Sequence, residues 1–287
     1  MSRTVPPLLA IESPFPEAHC MLRLIEPPDS CRQSLWESLF EGTYGKPFII
    51  DIRLRRFLHF DFDAVQSVMN LAHPDRLCLA YTRKMMAFLL FKRAPKRILL
   101  LGLGGGSLAK FCYRRLPGSA VTAIEANPDV IALREEFRIP ADDDRFRVVR
   151  SDGAAYVAQL RPCKDVILAD ACDRTGIAPG LDAAEFYQNA RSCLSSGGIF
   201  VANVCGDEPT RAAHILKIRN AFGGECMTLR VRPDGNVIVL AFKDGYPEII
   251  DWKHLEAMAF DLKRRLGLDF PKYVRRLAEP LRGWEIR

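Results

Sequence analysis

The stretch RILLLGLGGGS, residues 97–107, holds the key to the fold. Its apolar run from Ile98 to Leu101 has no polar alternation, so it predicts a strand covered on both faces, as in a parallel sheet. Gly102, Gly104, Gly105 and Gly106 follow at once, and the next segment, LAKFCYRRL, reads as a helix. A buried strand, a glycine turn and a helix in succession bring bare backbone close to a ligand at the mouth of the sheet, beside a helix N-terminus.

Downstream, strand-like and helix-like segments alternate: AVTAIEA, PDVIALREEF, FRVVRSDG, AAYVAQL, DVILADA, AAEFYQNARSCL, GGIFVANV and TRAAHILKIRNAF. This alternation predicts βαβ units on a parallel sheet. MTLRVR and VIVLAFK then follow one another across PDGN, where Asp234-Gly235 suits a tight turn, so these two strands are expected to be antiparallel neighbours. The expected class is α/β, a Rossmann-like sheet of the S-adenosylmethionine methyltransferase type with a terminal antiparallel hairpin. Upstream, FIIDI and RFLHFDF read as strands and SLWESLF as a short helix. The expected division is a small β-rich domain over residues 1–80 and a nucleoside-binding catalytic domain over 81–287. The latter ends in a tail of one or two amphipathic helices, beginning WKHLEAMAFDLKRRLGL.

Each strand end offers an acid. Glu125 closes the strand after the glycine turn, about twenty residues on, where a carboxylate reaches the hydroxyls of a ribose. Asp152, in Ser151-Asp152-Gly153, is placed to accept a hydrogen bond from an adenine amino group and to cap the following helix. Asp170 closes the fourth strand and Asp173 lies in the loop beyond it, where a carboxylate takes a proton from an attacking amine or holds a cationic substrate. The plain structural roles of these residues, strand-end carboxylate, helix cap and solvated loop acid, remain open beside the functional ones.

The 287 residues, 48% of them hydrophobic, suffice for a full core. The net charge of +6 comes from 41 Lys and Arg scattered among 35 Asp and Glu, the pattern of a solvated surface, so nucleic acid is not an expected partner. The opening MSRTVPPLLAIESPFPE breaks any apolar run with prolines and acids, and no later stretch reaches membrane-spanning length, so a soluble, cytoplasmic protein with no membrane partner is expected. The nine cysteines show no CxxC pair and no histidine at zinc spacing; reduced thiols and no metal are expected.

Together, RILLLGLGGGSL, AIEANPDVI, DDDRFRVVRSDGAAYV, DVILADACD and SSGGIFVANV, in this order and spacing, resemble the spermidine synthase family of aminopropyltransferases over roughly Gln66 to Lys243. The resemblance implies transfer of an aminopropyl group from decarboxylated S-adenosylmethionine to a small amine, with methylthioadenosine released. It implies that Glu125 holds the ribose and Asp152, with Gly153, the adenine, while Gly102, Gly104 and Gly105 cradle the arm of the nucleoside. Asp170 corresponds to the catalytic base, Asp173 to an acid that helps bind the amine, Gln66 to a glutamine contacting the nucleoside and Tyr81 to a pocket tyrosine. A homodimer is implied by analogy. Three positions depart from the family: Gly105 replaces an aspartate of the glycine loop, Arg83 a glutamate, and Arg174 a proline. Fewer acids, and positive charge gained at Arg83 or Arg174, would weaken binding of a polyamine and admit the carboxylate of S-adenosylmethionine itself. Methyl transfer from that cofactor, and a nucleoside-binding homologue without catalysis, are the alternative readings.

Overall fold

The computed structural model describes residues 7–12, 20–173, 176–178, 180–232, 235–247 and 249–282. Arg174 and Asp234 therefore lie outside the described residues. The chain builds two principal sheets. The first is an antiparallel meander of β1 (Leu9–Glu12), β2 (Cys20–Leu24), β3 (Phe48–Ile52), β4 (Arg55–His59) and β5 (Val65–Asn70), with α1 (Arg32–Phe40) between β2 and β3. Phe48, Leu24, Leu22 and Ile11 fill its own small core.

The second sheet begins at β6 (Arg97–Leu101) and runs through α3 (Ser107–Arg115), β7 (Ala120–Glu125), α4 (Pro128–Ala132), β8 (Phe146–Arg150), α5 (Gly153–Ala158) and β9 (Lys164–Ala169). A small ladder of β10 (Cys172–Asp173) and β11 (Gly176–Ile177) precedes α6 (Ala184–Cys193), β12 (Leu194–Val204), α7 (Glu208–Phe222), β13 (Met227–Arg230) and β14 (Val237–Phe242). The strand order is β13-β14-β12-β9-β6-β7-β8. The pairs among β12, β9, β6, β7 and β8 are parallel, whereas β14 is antiparallel to both β12 and β13. The expected sheet with its terminal hairpin is present, and Gly235, at φ 78°, sits in the hairpin turn.

The uniform apolar runs have the reason expected of them. Ile98 to Leu101 are at most 1% exposed, because α2 (Ala80–Met85), its 3-10 extension Met86–Leu90 and the tail helices cover one face while α6 and α7 cover the other. The tail forms two helices, α8 (Trp252–Leu266) and α9 (Phe270–Arg282). No described helix is long and apolar enough to cross a membrane.

The order of strand addition reverses between β8 and β9: β7 and β8 extend the sheet to one side of β6, and β9 returns to its other side. The connections that leave the C-terminal ends of β6 and β9 run to opposite sides at this switch point, the usual ligand site of open α/β sheets. The expectation that all cysteines are reduced is corrected here. Cys172 and Cys205 form a disulfide, while the other seven are free. They stand 33 residues apart in the chain and lack any motif, and adjacent parallel strands bring them together.

Candidate active site

Gly102 is required by the fold before any ligand is considered. The amide of Asp170 donates to the carbonyl of Leu101 at 2.9 Å, which presses the Asp170 carbonyl onto the turn. A Cβ on Gly102 would lie 2.1 Å from that carbonyl oxygen, and its φ is +94°. Only glycine lets β6 and β9 meet in this way. The turn is then pinned by Glu125, whose Oε2 accepts from the amide of Leu103 at 3.0 Å and whose Oε1 accepts from Asn127 at 2.9 Å.

Above the turn lies a cavity of about 370 Å³, lined by Gln66 and Ser67 from β5, Tyr81 from α2, Gly102, Gly104 and Ser107 from the glycine turn, and Glu125, Asp152, Gly153 and Asp170 from the strand ends. Gln66 and Tyr81 thus join the three strand-end acids although the two sheets are separate. Asp152 also caps α5, accepting from the Ala155 amide at 2.8 Å, so its two anticipated roles are compatible.

Gly105 lies behind the cavity wall. A Cβ there would come within 2.7 Å of Ser67 Oγ and 2.8 Å of Phe137 Cδ1, so this backbone has no room for the aspartate of the family pattern. At this end of the cavity two neutral hydroxyls stand instead, those of Ser67 and Ser107, 3.3 Å apart. Arg83 does not supply the positive charge the sequence suggested. Its Nη1 donates to the carbonyls of Leu77 and Cys78 at 3.0 and 2.5 Å, turning the guanidinium back onto the loop before α2, and it does not line the cavity. Among the described lining residues the charged ones are Glu125, Asp152 and Asp170, all acidic, so the cavity favours cations. The backbone of Asp173 pairs with Gly176 in the β10–β11 ladder; its side chain lies outside what is described.

Asp170 occupies the cavity floor. Burial pushes its carboxyl up to about 6, against the opposing hydrogen bonds from Asn203 and Tyr81. Asn203 Nδ2 donates to Asp170 Oδ1 at 3.0 Å, and Asn203 Oδ1 accepts from Asn236 Nδ2 at 3.1 Å. Sequence reasoning missed both asparagines. Asn203 carried a signal: it is the polar residue inside the apolar run GGIFVANV, and it is only 5% exposed. A buried amide in such a strand needs partners, and here one of them is the floor acid. A carboxyl held near neutrality beside a hydroxyl and an amide can accept a proton from a nucleophile at the centre of the cavity.

Comparison with known proteins identifies the family and the fold. The model of the spermine/spermidine synthase domain matches residues 78–225. The polyamine aminopropyltransferase of Chromobacterium violaceum is 38% identical over 225 residues, which cover 78% of this chain and 86% of that protein. Human methyltransferase-like protein 13 in complex with SAH superposes with a TM-score of 0.59 at 25% identity, over 66% of this chain and 93% of that one. Spermidine synthase from Thermotoga maritima does so with a TM-score of 0.54 at 20% identity, over 77% and 84%, and shares the fold.

Proposed function

The chain belongs to the spermine/spermidine synthase family of transferases, and on that premise we propose that it moves an aminopropyl group from decarboxylated S-adenosylmethionine to a small amine. The observation that carries this reading is the placement of Asp170, near-neutral in acidity, at the floor of a cavity whose described charged residues are acids. The donor is a sulfonium with a terminal ammonium, and the acceptor enters as an ammonium, so such walls attract both.

Glu125 holds the ribose hydroxyls and Asp152 the adenine amino group, fixing the sulfonium over the glycine turn. The acceptor loses a proton to Asp170, assisted by the Tyr81 hydroxyl. Its nitrogen lone pair attacks the carbon bonded to sulfur; the N–C bond forms as the C–S bond breaks. The bonding pair returns to sulfur, and neutral methylthioadenosine departs. Asp170 then passes its proton to solvent. Alignment of nitrogen, carbon and sulfur supplies most of the acceleration, and the base adds a factor of roughly 10² to 10⁴.

The Ser67–Ser107 hydroxyl pair favours a second reading, methyl transfer from S-adenosylmethionine. The two neutral hydroxyls at the turn can donate to a carboxylate as readily as they accept from an ammonium. Calorimetric titration with methylthioadenosine, decarboxylated S-adenosylmethionine and S-adenosylmethionine tests both. Tighter binding of the first two, with turnover on an amine panel, fits aminopropyl transfer. Preference for the carboxylated cofactor overturns it in favour of methyl transfer.

A further inference from the structure

The register of β9 and β12 runs on past the end of the sheet. Ala169 pairs with Ala202, one residue later Asp170 meets Asn203, and two residues later still Cys172 is bonded to Cys205. All three pairs have the same separation of 33 residues, so the two side-chain contacts continue the offset set by the sheet. Beyond Ala169 no further β9–β12 register pair follows, and the side-chain contacts tie the Asp170 loop to β12. Cys172 lines the same cavity as Asp170 and Asn203, and both cysteines are half-buried, within reach of a small reductant.

We propose that the Cys172–Cys205 disulfide is a redox-sensitive positioning element for Asp170. Intact, it clamps the loop onto β12 and keeps the Asp170 carboxylate against the Asn203 amide. A dithiol opens it by exchange: the reductant gives up two electrons and two protons, becomes a cyclic disulfide, and leaves Cys172 and Cys205 as thiols. The loop then parts from β12, the amide no longer steadies the negative form of the carboxyl, and the base is both misplaced and less ionised at neutral pH. The catalytic consequence rests on the reading of Asp170 as the base.

The full chain is prepared in disulfide and dithiothreitol-reduced forms, and its thiols are counted by alkylation and mass spectrometry under denaturing conditions. Seven alkylated cysteines before reduction and nine after are expected; nine in both preparations, even after mild oxidation, overturns the inference. In the reduced form kcat near neutral pH falls several-fold and the pH midpoint of activity rises by roughly one unit, while methylthioadenosine affinity stays put. Cys172→Ser and Cys205→Ser each reproduce the reduced form and no longer respond to dithiothreitol. Identical kinetics in both redox forms overturn the inference. If neither form acts on any amine, the proposed reaction fails separately. The inference is then read from the carboxyl titration of Asp170 by carbon NMR, assigned with Asp170→Asn, and equal midpoints in the two forms overturn it.

Discussion

The carboxylate of Asp170 and the carboxamide of Asn203 are 33 residues apart in the chain and 3.0 Å apart in the fold. They sit one step beyond the last paired residues of β9 and β12, so the sheet register itself sets their contact. Asn236, just before β14, holds the same amide from its far side, which fixes which end of Asn203 faces the acid.

Activity is expected to follow the ionisation of Asp170. Burial lifts its carboxyl to about 6, so the base is protonated and idle below that value. In the free enzyme kcat/KM should rise with pH through a midpoint near 6, and Asp170→Asn should abolish that limb. The same substitution should lower kcat by roughly 10² to 10⁴ while methylthioadenosine binds as before. Equal loss of nucleoside affinity would remove Asp170 from its catalytic role.

The stability of the fold should move in the opposite sense. A carboxyl whose pKa is raised on folding favours the folded state most when protonated, and that advantage is lost as pH rises from the ordinary carboxylate range through about 6. Asp170→Asn is therefore expected to melt above the parent at pH 7.5, with the gap closing near pH 4. Thermal denaturation at the two pH values measures this directly.

Asn203→Leu removes a hydrogen bond that favours the ionised carboxyl, and it also leaves Asn236 short of an acceptor. Losing a hydrogen bond to a charged group shifts the Asp170 midpoint upward by about one to two units. A pH profile that does not move would mean that Tyr81 and the surrounding backbone position the acid without Asn203.

Glu125 and the glycine turn predict separable defects. Glu125→Gln keeps one acceptor for the turn but weakens a ribose contact, so nucleoside affinity should fall about tenfold or more with little change in melting. Gly102→Ala forces a Cβ against the Asp170 carbonyl and is expected to cost about 3 kcal/mol or more, seen as reduced melting temperature or lost soluble protein. Gly104→Ala meets nothing nearer than 3.9 Å, but its φ of +51° is left-handed, so a stability loss of about 1 kcal/mol, smaller than that of Gly102→Ala, should accompany the loss of ligand binding. Calorimetry on the three variants separates these outcomes.

The glycine run, the strand-end acids and the hairpin were legible because each leaves a local pattern. Buried parallel strands must be uniformly apolar, a turn under a neighbouring strand must be glycine, and acids at strand ends recur at the spacing of one βα unit. Arg83 shows the limit of such reading. Its residue type announced positive charge in the pocket, whereas its guanidinium is consumed by the carbonyls of Leu77 and Cys78, a choice made by the path of the preceding loop. Gly105 is similar: the missing acid was visible, but Phe137 and Ser67 filling its space were not.

The amino-acid sequence by itself determined the α/β sheet, its terminal hairpin and the identity of the acids at its mouth, since periodicity and turn chemistry act between residues close in the chain. Tertiary structure alone decided which side chains share the cavity. Ser67 reaches Ser107 because the two sheets pack together, while Asn203 reaches Asp170 and Cys172 reaches Cys205 because the register of two parallel strands joined by a long crossover sets distances that no local pattern records.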